Sequence, residues 1–217
     1  CEQDYHGVVR CALGWACWKT YVGRPGTVTD QVRGMAMTQL GNGLQFAERD
    51  EEALNVREAE LAMERRLGGT EENILVVQNN LAMTYEALGR LEQALSMRQE
   101  VYSGRLKLNG EEHEITLSAA NNYAATLKNL QRFEEAKSLL RKTMPRARRV
   151  LGKDHDLTLT MRWIYAQSLC RDDRATLDDL REAVTTLEDT ARIGRRVLGN
   201  SHPTVRSIEF GLRESRA

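Results

Sequence analysis

His113 stands among Glu111, Glu112 and Glu114, and a histidine ringed by carboxylates is the residue mix of a metal site or an acid–base pair. The chemistry needs spacing as well as composition. No histidine pair stands one helical turn apart with a glutamate after the first, as a zinc peptidase requires. His113 instead aligns with His155 at the same point of an internal repeat, in a loop where capping a helix suffices. Gly152-Lys153 lacks the preceding glycine that a phosphate-binding loop needs. Cys1, Cys11, Cys17 and Cys170 show no C-x-x-C spacing and read as small apolar packers suited to a reducing compartment. No Ser/His/Asp or Cys/His motif is present. The expectation is a chain that is not an enzyme and uses no metal or cofactor.

The run Arg141-Lys142-Thr143-Met144-Pro145-Arg146-Ala147-Arg148-Arg149 has the charge to grip phosphates. Yet 31 basic residues balance 31 acidic ones over 217 residues, so no net field draws the chain to nucleic acid or acidic membranes. The run reads better as the solvated face of a helix offset by nearby acidic stretches, with a kink or break at Pro145, which lacks a backbone donor. No apolar run approaches the roughly 20 residues of a membrane-spanning helix. The start, Cys1-Glu2-Gln3-Asp4, has neither an initiator Met nor a signal-peptide core and reads as an excised piece. These missing signals point to a cytoplasmic location.

The elements that position the polar residues come from a repeat. A shift of 42 places NNLAMTYEALGRLEQA (79–94) on NNYAATLKNLQRFEEA (121–136), with Asn79/Asn121, Asn80/Asn122 and Ala94/Ala136 among the identities. QLGNGLQFAERDEEA (39–53) lies 41 residues before that frame, and WIYAQSL (163–169) lies 42 after NNYAATL. Leu67-Gly68, Leu108-Asn109, Leu151-Gly152 and Leu198-Gly199 mark the repeat ends, which makes Ala183 the fourth of the series Ala53, Ala94, Ala136. The fourth repeat has five extra residues, best placed in the turn Arg171-Asp172-Asp173-Arg174. Leu81, Ala82, Tyr85 and Leu88 form one helical stripe, Gly89-Arg90 a turn, and Leu91, Ala94, Leu95, Met97, Val101 and Leu106 the stripe of a second helix. Such a hairpin cannot bury its own apolar face, so hairpins must stack.

A period near 42 also fits HEAT or armadillo repeats. The residue types resolve it: Leu81-Ala82, Tyr85 and Ala94 follow the tetratricopeptide signature, as do Leu40-Gly41, Leu44, Ala53 and Tyr123-Ala124, Leu127, Ala136. Gly41, Ala82, Ala124 and Ala166 are the small residues that let paired helices approach. With Leu151-Gly152-Lys153-Asp154-His155, Asn79-Asn80-Leu81-Ala82 and Gly89-Arg90-Leu91-Glu92-Gln93-Ala94, the chain resembles tetratricopeptide repeats of the kinesin light chain type over about residues 30–217. The coiled coil of true light chains is absent, so the resemblance is to the repeat class and not to a motor subunit.

That resemblance implies an all-α fold, a right-handed superhelical solenoid of helix hairpins. Four repeats are expected at about 27–66, 67–107, 108–150 and 151–197, followed by an incomplete fifth repeat or cap helix over 198–217. Residues 1–26, with Trp15, Cys17, Trp18 and Tyr21, are expected to form an apolar N-terminal cap. It also implies a ligand-facing groove at Thr38, Asn42, Gln45, Asn79, Asn80, Met83, Glu86, Asn121, Asn122, Ala125, Lys128, Trp163, Gln167 and Arg171. An Asn amide both donates and accepts, so it suits a peptide backbone, although Asn79 or Asn121 can equally serve packing between helices. Tyr85, Tyr123 and Tyr165 read as packing residues. The expected function is a scaffold that binds a protein or extended peptide. The alternatives are a regulatory segment of a larger, for example NTPase-linked, protein and, ranked last, nucleic-acid binding.

Overall fold

The computed structural model describes residues 2–21 and 30–214, and within them every regular element is an α-helix. The order is α1 (Glu2–Tyr21), α2 (Asp30–Phe46), α3 (Asp50–Arg66), α4 (Glu71–Ala87), α5 (Leu91–Asn109), α6 (Glu114–Asn129), α7 (Phe133–Val150), α8 (Asp156–Cys170), α9 (Leu177–Leu198) and α10 (Pro203–Glu214). None of these helices is long and apolar enough to cross a membrane. The chain divides into two compact units, residues 1–104 and 105–217.

In the first unit, α1 lies against α2 so closely that a Cβ on Gly14 would stand 2.6 Å from the Leu40 Cα. Cys11, Leu40, Leu44 and Ala53 form a buried cluster there, with Trp18 packed on it. Trp15 stays at the surface, and Cys1 and the side chains of Cys17 and Tyr21 fall outside the described residues. A second cluster joins Leu54, Leu61, Val77, Leu81, Tyr85 and Ala94. The small residues sit where close approach requires them: Ala53, Ala82 and Ala94 are fully buried, and a Cβ on Gly41 would press on the Arg57 side chain at 3.3 Å.

The second unit repeats the plan. Ala124, Ala136, Ala166 and Ala183 are fully buried among Leu117, Leu127, Leu140, Leu159, Ile164 and Leu187. Its first helices begin alike. His113 Nδ1 accepts from the Ile115 N–H, His155 Nδ1 from Leu157 and His202 Nδ1 from Thr204, at 3.2–3.3 Å. The imidazoles satisfy backbone donors that a helix start leaves unpaired. In the first unit Thr70 does the same for α4, accepting from Asn73 N–H.

Three hairpin turns close with one geometry. The Gly89 N–H donates to Glu86 C=O and Arg90 N–H to Tyr85 C=O, and the pattern recurs at Glu48–Arg49 and Gln131–Arg132. This end-of-helix arrangement needs a left-handed residue. Gly89 supplies it at no steric cost, whereas Glu48 and Gln131 adopt φ of 56° and 59° with a side chain present.

Two local expectations change. α7 runs unbroken through Pro145, because Leu140, Thr143 and Ala147, buried on either side of it, hold the helix in place. The extra residues of the fourth repeat are not confined to the turn. That turn spans residues 171–176, and Ala183 is the seventh residue of α9, whereas Ala53, Ala94 and Ala136 are fourth in their helices. The insertion therefore lengthens the turn and also adds about one turn of helix before Ala183.

Candidate functional site

In the first unit the predicted residues lie on two helices, Thr38, Asn42 and Gln45 on α2 and Asn79, Asn80, Met83 and Glu86 on α4, at three- and four-residue spacing. Sequence reasoning missed what orients them. Arg57, from α3, is 1% exposed, and its Nη2 donates to Asn42 Oδ1 at 2.9 Å and to Gln45 Oε1 at 3.1 Å. Arg98, from α5, is 3% exposed; its Nη1 donates to Asn79 Oδ1 at 2.6 Å. Arg98 also forms a two-pronged pair with Glu86, Nε to Oε1 at 3.1 Å and Nη2 to Oε2 at 2.8 Å.

An arginine can only donate, so these bonds fix which end of each amide is which. The oxygens of Asn42, Gln45 and Asn79 point to the buried guanidinium groups, and their N–H donors have no partner among the described residues. Asn80, half-buried, has no side-chain partner among the described residues, and Met83 is 44% exposed. The carboxylate of Glu86 is neutralised by Arg98. Burial pulls the Arg57 guanidinium below its ordinary value, and its Nε and Nη1 have no hydrogen-bond partner.

The repeat alignment does carry a signal for these arginines. Both stand four residues after a packing alanine (Ala53, Ala94) on the stripe that faces the partner helix, where the third and fourth repeats have Leu140 and Leu187. A long cation at an apolar position of a repeat is a side chain that must find buried acceptors.

Thr38 takes a different partner. Its hydroxyl donates to the Glu60 carboxylate, which lies on α3 and is 1% exposed. Burial pushes this carboxyl up to about 7, opposed by the Thr38 hydrogen bond and by Arg57, and reinforced by the neighbouring Glu64. Its Oε2 has no partner.

In the second unit the corresponding residues come together differently. Asn121 is 8% exposed, and its Nδ2 donates to Asn122 Oδ1 at 3.4 Å while its Oδ1 is buried and unbonded. Lys128 Nζ donates to Gln167 Oε1 at 3.1 Å and lies 5.0 Å from the centroid of the Trp163 ring. Burial, and then Arg171 nearby, lower the Lys128 ammonium from its ordinary value. α10 closes over this trio: a Cβ on Gly211 would stand 3.3 Å from Trp163 Nε1 and 3.4 Å from Gln167 Nε2. Asn122 and Ala125 remain half-buried and Arg171 exposed.

The other chemistry-bearing residues are accounted for locally. Arg146 pairs with Glu111 at 2.7 Å and Arg149 with Glu112, so the basic run and the acids beside His113 neutralise one another. Lys137 and Asp172 form a buried pair at 2.9 Å that pins the long turn before α9. The Lys137 ammonium, with Arg174 behind it, holds the Asp172 carboxyl well below the usual carboxylate range. Among the described residues no three His, Cys, Asp or Glu side chains gather as a metal site would require.

Two tetratricopeptide repeat family models match the chain, at residues 33–107 and 116–156. The fold is similar to two crystal structures of a Podosopora anserina putative kinesin light chain with nearly identical TPR-like repeats. One, of a variant form, has a TM-score of 0.70 at 22% identity, covering 84% of each chain. The other has a TM-score of 0.69 at 22% identity, over 84% of this chain and 85% of that one. BtubC (BKLC) from P. vanneervenii aligns with a TM-score of 0.56 at 12% identity, over 99% of this chain and 89% of that one. No curated protein matches.

Proposed function

Because the chain belongs to the tetratricopeptide repeat family, with a fold of the kinesin light chain type, we propose that it is a non-enzymatic scaffold that holds a protein or extended peptide. The ligand-facing residues lie on the first helices of the hairpins: Asn42, Gln45, Asn79, Asn80 and Met83 within the first unit and, within the second unit taken by itself, Asn122. The observation that carries this reading is the pair of buried arginines. Holding an amide in one orientation from beneath, with its donors unspent, pre-pays the ordering that binding would otherwise require. A row of N–H donors suits the carbonyl oxygens of an extended backbone whatever its side chains, and Met83 adds an adaptable apolar contact.

The test uses the natural partner, captured from native lysate with the wild-type chain, then purified and titrated. Asn80→Ala combined with Asn122→Ala removes side chains that tie no helix to another, so helicity by circular dichroism stays unchanged. Loss of two hydrogen bonds weakens the purified partner by about tenfold or more. Unchanged affinity would remove these residues from the binding face.

A further inference from the structure

A cleft of about 460 Å³ opens between α2, α3 and the start of α4, at the small end of the roughly 300–1,000 Å³ typical of ligand sites. Its walls include Gly34, Met35, Thr38, Glu60, Glu64 and Val76, and no Lys, Arg or His lines it among the described residues. Three observations meet there. Glu60 is 1% exposed, yet only one of its carboxyl oxygens is engaged, by Thr38, and Oε2 is buried with no partner. Glu64 is half-buried one helical turn further on, its carboxylate lodged between Gly34 and Gly69, where a side chain on either glycine would run into it. Met35 and Val76, 63% and 44% exposed, give the mouth apolar flanks.

The fold does not require these carboxylates. The positions seven and eleven beyond the packing alanine are Glu60 and Glu64 in the first repeat, but Val101 and Arg105, Thr143 and Ala147, and Thr190 and Gly194 in the others. Val101, Thr143 and Thr190 are all buried, so a neutral side chain satisfies the packing. A carboxyl in such a place, half satisfied, is costly unless something pairs with it.

We infer that this cleft binds a basic side chain, Lys or Arg, presented by the protein partner, with Glu60 and Glu64 as its counter-charges. The proposal rests on the scaffold reading and adds the chemistry of one anchor. Met35 and Val76 flank the aliphatic stem, as long cationic side chains bury their methylenes against apolar surface. Glu64 meets the charge at the rim, and a rotamer change there admits it to the free Oε2 of Glu60. The groups facing Glu60 are Thr38, which donates to it, Arg57, which favours its ionised form, and Glu64, which opposes it. An arriving cation completes what Arg57 leaves unbalanced.

The experiment titrates the whole chain, labelled with ¹³C at its methionine methyls, with N-acetyl-arginine amide and N-acetyl-lysine amide, using N-acetyl-norleucine amide as the uncharged control. Met35, assigned by Met35→Leu, reports binding. The cations shift its methyl saturably and the norleucine compound does not. Glu60→Gln, which keeps an acceptor for Thr38, weakens the cations about tenfold, and Glu64→Gln does likewise. With Glu60 half-ionised near pH 7, wild-type affinity rises roughly tenfold from pH 6 to pH 8, and the Glu60→Gln variant loses that rise. An absent Met35 shift, equal binding of the norleucine compound, or indifference to both variants overturns the proposal. These probes need no natural partner, so their failure condemns the cleft alone. A partner indifferent to Asn80 and Asn122 would condemn the scaffold face and leave the cleft result standing.

Discussion

Replacing Glu60 with Gln should make the protein more stable at pH 8 than at pH 5 relative to wild type. The wild-type carboxyl is buried beside Thr38, Arg57 and Glu64 and is pushed up to about 7 from an ordinary 4.5. A raised carboxyl means the folded chain holds its proton more tightly than the unfolded chain does. Stability linked to Glu60 is therefore fully present below pH 4.5 and is lost as pH rises through about 7. At about 1.36 kcal/mol per unit, the loss between pH 5 and pH 8 is on the order of 2–3 kcal/mol. Gln has nearly the same shape, still accepts from the Thr38 hydroxyl and does not titrate. Every other ionisable group is common to the two proteins, so their contributions cancel in the difference. Urea unfolding of both proteins at pH 5, 6, 7 and 8 gives that difference directly, provided the slopes match. The variant should gain on the wild type by about 2–3 kcal/mol across the range, most of it between pH 5 and 7. A difference that stays flat with pH would mean that Glu60 is hydrated or paired in the folded protein, and the reasoning about the cleft would lose its foundation.

Arg98→Ala removes the buried guanidinium that pairs with Glu86 and Asn79 and should cost about 3 kcal/mol in urea unfolding. The combination Arg98→Leu with Glu86→Gln, which copies the Leu140 of the third repeat, should recover most of that loss. Gln131→Gly removes a side chain from a residue at φ 59° and should stabilise by about 1 kcal/mol in thermal unfolding. Gly89→Ala should cost a similar amount in the same assay. Leu81→Ala, at a site 3% exposed within the α3–α4 cluster, should cost roughly 2–5 kcal/mol. A midpoint shift near zero would mean that the cluster does not hold the hairpins together.

The fold was readable because its requirements repeat. Small residues at 41, 82, 124 and 166 and alanines at 53, 94, 136 and 183 recur at fixed spacing, since two helices cannot pack closely around anything larger. His113 and His155 were readable as caps for the same reason, a shared place before a helix. What sits beneath the polar face was harder to see. Arg57 and Arg98 look like any surface arginine in a single helix, and only comparison with Leu140 and Leu187 shows that they occupy an apolar position. Trp163 gives no hint that α10 lies over it, because that contact depends on Gly211, a residue of another helix whose meaning lies in what it omits. Pro145 misled because local backbone chemistry argues for a break, and the buried residues on both sides of it outweigh that preference.

The exchange of arginine for leucine four residues past the packing alanine has a consequence for where recognition lies. In the first unit each buried guanidinium draws polar side chains into a fixed arrangement and leaves amide donors free on α2 and α4. In the second unit Leu140 and Leu187 offer no such donor from below, so Asn121 has only Asn122, and Lys128 turns to Gln167 and Trp163. Arginine-held amides at half-buried positions, and the half-satisfied carboxyl of the 1%-exposed Glu60, are thus properties of the hairpins before residue 105, whereas the amide that Lys128 orients, Gln167, is buried. Specific polar contacts of a ligand should accordingly concentrate on the first unit. Substitutions at Asn42, Gln45 and Asn79 should weaken a bound peptide more than substitutions at Lys128 or Gln167, because Lys128 is committed to Gln167 and Trp163 and Gln167 is buried beneath α10.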